Sequence, residues 1–303
     1  MFRRLIAPME PAGFVAESWE RRALPLPGDP RRFDGLEVDF DRFGVAIGHL
    51  PPNSLRANRV ESDGTGRYVH VGPEDCRACF DQGMTICVTN LHLAMPRLRE
   101  LARDTRRALA LAGAVSVNAY LSPAGRGFGL HLDPQSVFIL QVEGEKHWLY
   151  GAEPAAAFPP RGMDAFPDSG REAFRQRHPE IPLAEPGDTV WNRCLLRPGD
   201  ALYLPPGTWH QGTAGDYSLA LTLTCCTLEV SSLLGALLQG GLFTRDSWRR
   251  NLPSGLAAGA GLSRERFIAD RLDELRQWVA ALSPGDVARA WDSTASTETV
   301  PLP

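Results

Sequence analysis

The stretch "GLHLDPQSVFILQVEGEKHWLY", residues 129–150, sets His131 and Asp133 two positions apart and then runs into a dense apolar segment broken by Lys146. Charged and metal-liking side chains at the mouth of a buried strand need a reason. On a strand, residues two apart point to the same side, so His131 and Asp133 can offer an imidazole nitrogen and a carboxylate oxygen to one point. A third donor follows in "RPGDALYLPPGTWHQG", where His210 stands just beyond an apolar run ending in Pro205, Pro206 and Gly207. Two histidines and one carboxylate, with the other coordination positions open, form the facial triad of non-haem Fe(II) oxygenases. A closed four-ligand zinc site would leave no room for a co-substrate and dioxygen. The plainer alternative is a pair of unrelated, hydrogen-bonded histidines at strand ends.

Lys146 lies far enough beyond His131 to cross back on the next strand after a turn at "EGEK". Its offset from Asp133 is odd, so that turn must reset the register before the two can share a pocket. A lysine pointing into a barrel must meet an anion, because an unpaired buried ammonium is costly. On the surface after a hairpin it would need none.

Around these motifs the chain reads as short β-branched and aromatic runs divided by glycine and proline: "AVSVNAYLS", "SVFILQVEG", "KHWLYG", "CLLRPGDALYLPPG" and "YSLALTLTCCTLEV". That rhythm predicts an antiparallel sandwich or barrel over 114–229. Residues 1–113 read as an N-terminal α/β segment packing on this core. It contains a short helical entry, "PAGFVAESWERRAL", stopped at "LPLPGDP", and an amphipathic helix from Met95 with Leu98, Leu101, Ala102, Thr105, Ala108, Leu109 and Ala112 on one face. The Pro/Ala-rich stretch 151–189 is too long for a turn. It reads as an excursion over the barrel mouth with a short helix near Arg171–Arg177. Residues 230–303 return to a helical pattern, in which Ser263 is an N-cap and Ile268, Leu272, Leu275, Val279 and Leu282 form a stripe suited to the barrel or to a second copy of the chain. The tail "DSTASTETVPLP" is polar and reads as mobile. The expected class is mostly β with flanking helices.

Composition excludes little. A formal charge of -4, with 43% hydrophobic and 22% charged residues, is that of an ordinary soluble protein and carries no clear nucleic-acid signal. The first residues hold too short an apolar run for a signal peptide or a membrane span. Six cysteines without an extracellular spacing fit a reducing, cytoplasmic setting. Cys76-x-x-Cys79 lacks a second pair or a nearby histidine pair and reads as two plain thiols.

Taken together, "NAYLSPAGRGFGLHLD", "VFILQVEGEKHWLYG", "PGDALYLPPGTWHQG" and "YSLALTLT" resemble the JmjC-type cupin 2-oxoglutarate oxygenases, most closely their bacterial ribosomal oxygenase branch. The resemblance extends over residues 5–228 and takes in "EPAGFVAESWERRAL" and "VTNLH". It implies a double-stranded β-helix, or cupin jelly roll, with a C-terminal helical region. It also implies Fe(II) held by His131, Asp133 and His210, with 2-oxoglutarate as co-substrate and O2 as oxidant. Lys146 matches the residue that binds the distal carboxylate of 2-oxoglutarate, while Asn118, Tyr120, Ser218 and Thr222 match walls of the co-substrate pocket. Three departures stand out. The span from Tyr120 to His131 is about one residue short, the 151–189 excursion is long, and the helices after the barrel leave no evident winged helix.

The activity so implied is hydroxylation of an amino-acid side chain in a protein or peptide, with decarboxylation of 2-oxoglutarate to succinate and no catalytic side chain beyond the metal centre. The C-terminal helices would serve a homodimer. Tailoring of a peptide natural product and N-demethylation use the same chemistry. A non-oxidative metal-binding cupin is the reading from a different class, against which Lys146 argues.

Overall fold

Two long β segments carry much of the buried core, residues 136–141 being buried on both faces of the sheet. The computed structural model describes residues 1–38, 50–51, 53–251 and 264–296. By internal contacts it forms two units, one of Met1–Ala110 with Ala114–Cys226, the other of Leu111–Gly113 with Thr227–Pro303.

The first unit holds an 11-stranded, antiparallel sheet. Its strands are β1 (Leu24–Leu26), β2 (Leu55–Val60), β3 (Gly66–His70), β4 (Thr85–Val88), β5 (Val115–Pro123), β6 (Gly127–Leu132), β7 (Ser136–Gly151), β8 (Met163–Asp164), β9 (Trp191–Leu196), β10 (Ala201–Leu204) and β11 (His210–Cys225). Two of them, β7 and β11, run for 16 residues each, about three times the usual strand length. They serve both halves of a sandwich. The first part of β7 pairs with β10 and the last part with β9. Likewise β11 pairs with β6 at its start and with β5 at its end. One half is therefore β1-β10-β7-β11-β5-β4-β2-β3, and the other is β9-β7-β11-β6-β8. Val137, Ile139, Trp148, Tyr150, Leu202, Leu204 and Ala220 pack between the halves.

The sequence separates "SVFILQVEG" from "KHWLYG" by a hairpin at "EGEK", and the structure corrects this. The strand continues through, and Lys146 lies on β7 itself rather than on a returning strand. The register reset that the odd spacing demands is supplied by a bulge. Between the pairs Gln141–Ala220 and Glu143–Leu219, β7 carries one extra residue, Val142. Val137 and Ile139 face the interior before it, and Lys146 and Trp148 face it afterwards. Gly144 follows with φ 63°, where a Cβ would stand 2.1 Å from the Tyr217 carbonyl oxygen. Only glycine fits there.

The N-terminal segment packs as expected on the sandwich, and it also extends the sheet. Phe14, Phe138 and Tyr203 form an aromatic cluster with centroid separations of 4.9–5.5 Å. The Tyr203 hydroxyl accepts a hydrogen bond from the Glu20 backbone at 2.7 Å. The helix Pro96–Ala108 buries Leu98, Leu101, Ala102 and Thr105 of the face its periodicity predicts, whereas Ala108 is exposed and Leu109 and Ala112 lie beyond the helix end.

The excursion 151–189 is more built than a loop over the mouth. It supplies β8, a helix Asp168–Arg177 that starts earlier than expected, and a core of its own. There Phe174, Met163 and Ala165 meet Leu130, Leu132 and Trp209. Arg171 binds Asp168 at 2.7 Å and Glu185 at 2.9 Å, closing the segment on itself.

In the second unit, helices span Val230–Leu242, Asp246–Arg249, Arg264–Ala281 and Pro284–Ser296. Of the expected stripe, Ile268, Leu272 and Val279 are exposed in the single chain, so these three do not pack on the chain's own core. The sheltered face of Arg264–Ala281 instead carries Phe267, Arg271, Glu274, Leu275 and Trp278, with Glu274 accepting from Trp248 Nε1 at 2.7 Å. Ser263 lies outside the described residues. The segment expected to be a mobile tail is helical as far as Ser296, and its remainder lies outside the description. Among the described residues no helix is long and apolar enough to cross a membrane.

Candidate metal centre and co-substrate pocket

β6 and β11 set their histidines directly across from one another. His131 and His210 are in register, with ring centroids 4.2 Å apart. Asp133 follows β6 immediately, and its Oδ2 lies 3.6 Å from His210 Nε2. One donor atom from each of His131, Asp133 and His210 falls within 4.8 Å of the others, the spacing of ligands around one ion.

Two backbone contacts fix which nitrogen each ring presents. His131 Nδ1 is 2.8 Å from the Gly129 carbonyl, and His210 Nδ1 is 2.9 Å from the Thr208 carbonyl. A carbonyl oxygen only accepts, so each Nδ1 carries the proton and each neutral ring turns the Nε2 lone pair toward the other ligands. Burial, together with neighbouring His131, pushes the His210 pKa down to about 4, so its neutral, ligating form persists through neutral pH.

The flanking residues hold this geometry. Leu130, Leu132 and Trp209 alternate with the ligands and point the other way, into the excursion's core. Trp209 Nε1 donates to the Ala184 carbonyl at 2.9 Å. The "PPG" turn has a physical purpose, since the Gly207 amide donates to the Asp133 carbonyl at 2.7 Å and so ties the two ligand segments together.

The triad opens on a cavity of about 200 Å³ whose lining also includes Lys146, Tyr120, Thr222, Phe128, Trp148 and Arg56. Lys146 is only 2% exposed. Its ammonium donates to Ser122 Oγ at 3.4 Å and lies 5.4 Å from the Trp148 ring centroid and 5.9 Å from that of Phe128. Among the described residues no carboxylate lies within ion-pair distance of it. Desolvation lowers its pKa to about 8. A buried ammonium with one hydroxyl contact and two aromatic faces has the chemistry to receive an anion. The donor set and this orphaned ammonium together fit a divalent iron and a dicarboxylate.

The four remaining sequence candidates separate. Tyr120 and Thr222 line the cavity, and burial pushes the Tyr120 hydroxyl up. Asn118 and Ser218 do not line it. Asn118 Oδ1 accepts from the Asn90 amide at 3.0 Å, and its Nδ2 donates to Thr224 Oγ1 at 3.4 Å. Ser218 accepts from Gln141 Nε2 at 3.0 Å. Sequence reasoning missed Ser122, Phe128, Trp148 and the N-terminal contributors Arg56, Tyr68, Cys87 and Thr89. Ser122 shares the strand parity of Asn118 and Tyr120 and was legible to that extent. The N-terminal residues had no signal, since nothing local says that β2–β4 extend the same sheet. Cys76 and Cys79 join no metal-ligand cluster among the described residues.

Comparison with known proteins gives a domain match and a fold. Residues 95–233 match the family model described as JmjC domain. Ribosomal oxygenase 1 of Gallus gallus is 29% identical over 293 residues, covering 89% of this chain and 45% of the relative. Ribosomal oxygenase 2 of Mus musculus is 25% identical over 312 residues, 90% of this chain and 60% of the relative. The chain thus spans about half the length of these two relatives. Among solved structures, the Escherichia coli ribosomal oxygenase YcfD, in complex with cobalt and 2-oxoglutarate, superposes with a TM-score of 0.63. The identity is 19%, over 97% of this chain and 73% of that one. Residues 95–233 thus match the JmjC domain, and the chain is similar to ribosomal oxygenases over most of its length.

Proposed function

We propose that the chain is an Fe(II)- and 2-oxoglutarate-dependent hydroxylase of an amino-acid side chain in a protein or peptide. The observation that carries this reading is the joint placement of the His131–Asp133–His210 triad and the unpaired, buried Lys146 on one cavity. Fe(II) and 2-oxoglutarate, when bound, supply the oxidant for C–H hydroxylation with O2, releasing carbon dioxide and succinate. The chain's own residues bind and orient. His131, Asp133 and His210 would hold the metal, three protein donors being the set that suits a non-haem Fe(II) oxygenase. Lys146, with Ser122 beside it, neutralises the distal carboxylate of 2-oxoglutarate, and Tyr120 and Thr222 contribute walls. Phe128 and Trp148 keep water from the ammonium, which strengthens its attraction for a carboxylate.

The protein substrate is supported by the relatives named as ribosomal oxygenases, which cover most of this chain. The exposed Ile268, Leu272 and Val279 favour a homodimer through the C-terminal helices. Incubation of the Fe(II)-loaded protein with 2-oxoglutarate and cell-derived peptides is expected to give succinate and a peptide mass gain of one oxygen. Absence of 2-oxoglutarate turnover with every peptide pool, beside an active control oxygenase, would overturn the reading.

A further inference from the structure

Two cations line the cavity, and the proposed function uses only Lys146. The other is Arg56, and sequence motifs give it no part. It stands on β2, in register with Cys87 on β4, and Cys87 is in turn in register with Tyr120 on β5. These three side chains therefore lie side by side on the cavity face of one sheet. Tyr68, diagonal to Arg56 on β3, completes the group, with the guanidinium 5.9 Å from its ring centroid.

Arg56 is half-buried, and among the described residues no carboxylate or carbonyl is within hydrogen-bond reach of its guanidinium. Structural arginines in this chain look different. Arg171, buried to a similar or greater degree, meets two carboxylates. A partly desolvated guanidinium on a cavity wall, its fork unused, is arranged to receive an external acceptor, and a carboxylate matches that fork with two parallel hydrogen bonds. Beside it the wall is lined by the short side chains of Cys87 and Thr89, which leave space for an incoming group. Of the neighbouring carboxylates, Asp133 lines the same cavity but forms no ion pair with Arg56, and Asp164 stands on β8 in register with His131. It does not line the cavity and forms no ion pair with Arg56.

We propose that Arg56 is the substrate-anchoring cation of this site, holding a carboxylate on the residue to be hydroxylated or on its immediate neighbour, so that the chain acts on an acidic peptide segment. The inference rests on the oxygenase reading above, in which Lys146 and the metal take both carboxylates of 2-oxoglutarate and leave Arg56 to the substrate.

The test uses the full-length, Fe(II)-loaded protein with 2-oxoglutarate and two synthetic peptide pools of equal length. Both have a randomised central residue, flanked by Asp and Glu in one and by Lys and Arg in the other. The readout is the ratio of peptide-dependent turnover between pools, scored as succinate and as a mass gain of one oxygen. The wild type is expected to favour the acidic pool about ten-fold, equivalent to about 1.4 kcal/mol. Arg56→Gln should bring the ratio toward one, and Arg56→Glu should invert it. A wild-type ratio near one or favouring the basic pool overturns the inference even if neither variant folds, as does an Arg56→Glu ratio equal to the wild type's. Loss of succinate formation in every preparation, the wild type included, would instead sink the oxygenase reading itself.

Discussion

The Gly207 amide donates a 2.7 Å hydrogen bond to the Asp133 carbonyl, joining the turn that leads into His210 to the segment that carries the other two ligands. Asp133 and His210 are 77 positions apart in sequence, and this backbone bond ties their two segments together. Gly207 also has φ 75°, and a Cβ there would stand 1.8 Å from the Ala156 carbonyl oxygen. Gly207→Ala is therefore expected to destabilise the fold by about 3 kcal/mol and to weaken metal binding by about ten-fold or more, as loss of an orienting contact does. Urea unfolding and Mn(II) titration measure the two effects. A variant with wild-type values in both would refute the role given to this turn.

The tautomer argument makes a sharper statement about the histidines. Each presents Nε2 because Nδ1 is committed to a backbone carbonyl. His131→Ala, Asp133→Ala and His210→Ala should each abolish tight metal binding and 2-oxoglutarate turnover, with the fold retained by circular dichroism. Retained turnover in any of the three would remove that residue from the ligand set.

Lys146 is costly to the ligand-free protein. Burial lowers its pKa from 10.5 to about 8, so between these values the unfolded chain holds more protons than the folded one and stability rises with pH. The penalty is fully present below pH 8 and disappears above about 10.5. Lys146→Met should thus be more stable than the wild type at pH 7, by about 3 kcal/mol, with the gap closing as the pH climbs through that window. The same variant should raise the KM for 2-oxoglutarate at least about ten-fold, the scale of one charge-assisted contact. Melting curves from pH 7 to 10.5 and succinate kinetics check both halves, and a variant less stable than the wild type at pH 7 would contradict the first.

Two serines on the interior of adjacent strands should behave differently. Ser122 touches the Lys146 ammonium, whereas Ser218 accepts from Gln141 and does not line the cavity. Ser122→Ala should raise the KM for 2-oxoglutarate several-fold. Ser218→Ala should cost about 1 kcal/mol of stability with little change in that KM. If Ser218→Ala instead raised the KM as much as Ser122→Ala, the serine would return to the pocket wall that the family resemblance implies.

The helix Pro96–Ala108 was legible because its signal is local, with apolar residues at helical spacing, Pro96 at the start and buried positions that match. The continuity of β7 was not. "EGEK" has the composition of a turn, and only pairing with β11 on one side and with β9 and β10 on the other keeps the strand extended past Gly144. The exposed Ile268 stripe shows the same limit in a helix. Periodicity marks two apolar faces on Arg264–Ala281, and the neighbouring helix selected the one with Phe267 and Trp278.

By itself the sequence determined the class of the fold and singled out His131, Asp133 and His210 as candidate metal ligands. Strand alternation and the His131–Asp133 pair are properties of residue type and short spacing, and His210 is marked by the turn motif before it. It also demanded an anion for Lys146, since desolvation of an ammonium carries the same cost wherever it occurs. The tertiary structure alone decided the rest. The Val142 bulge turned Lys146 inward, the strand run β5-β4-β2-β3 carried Arg56, Tyr68 and Cys87 to the cavity, and Asn118 and Ser218 were engaged in hydrogen bonds of their own. These are matters of register between distant strands, set by hydrogen bonds and packing that no window of sequence contains.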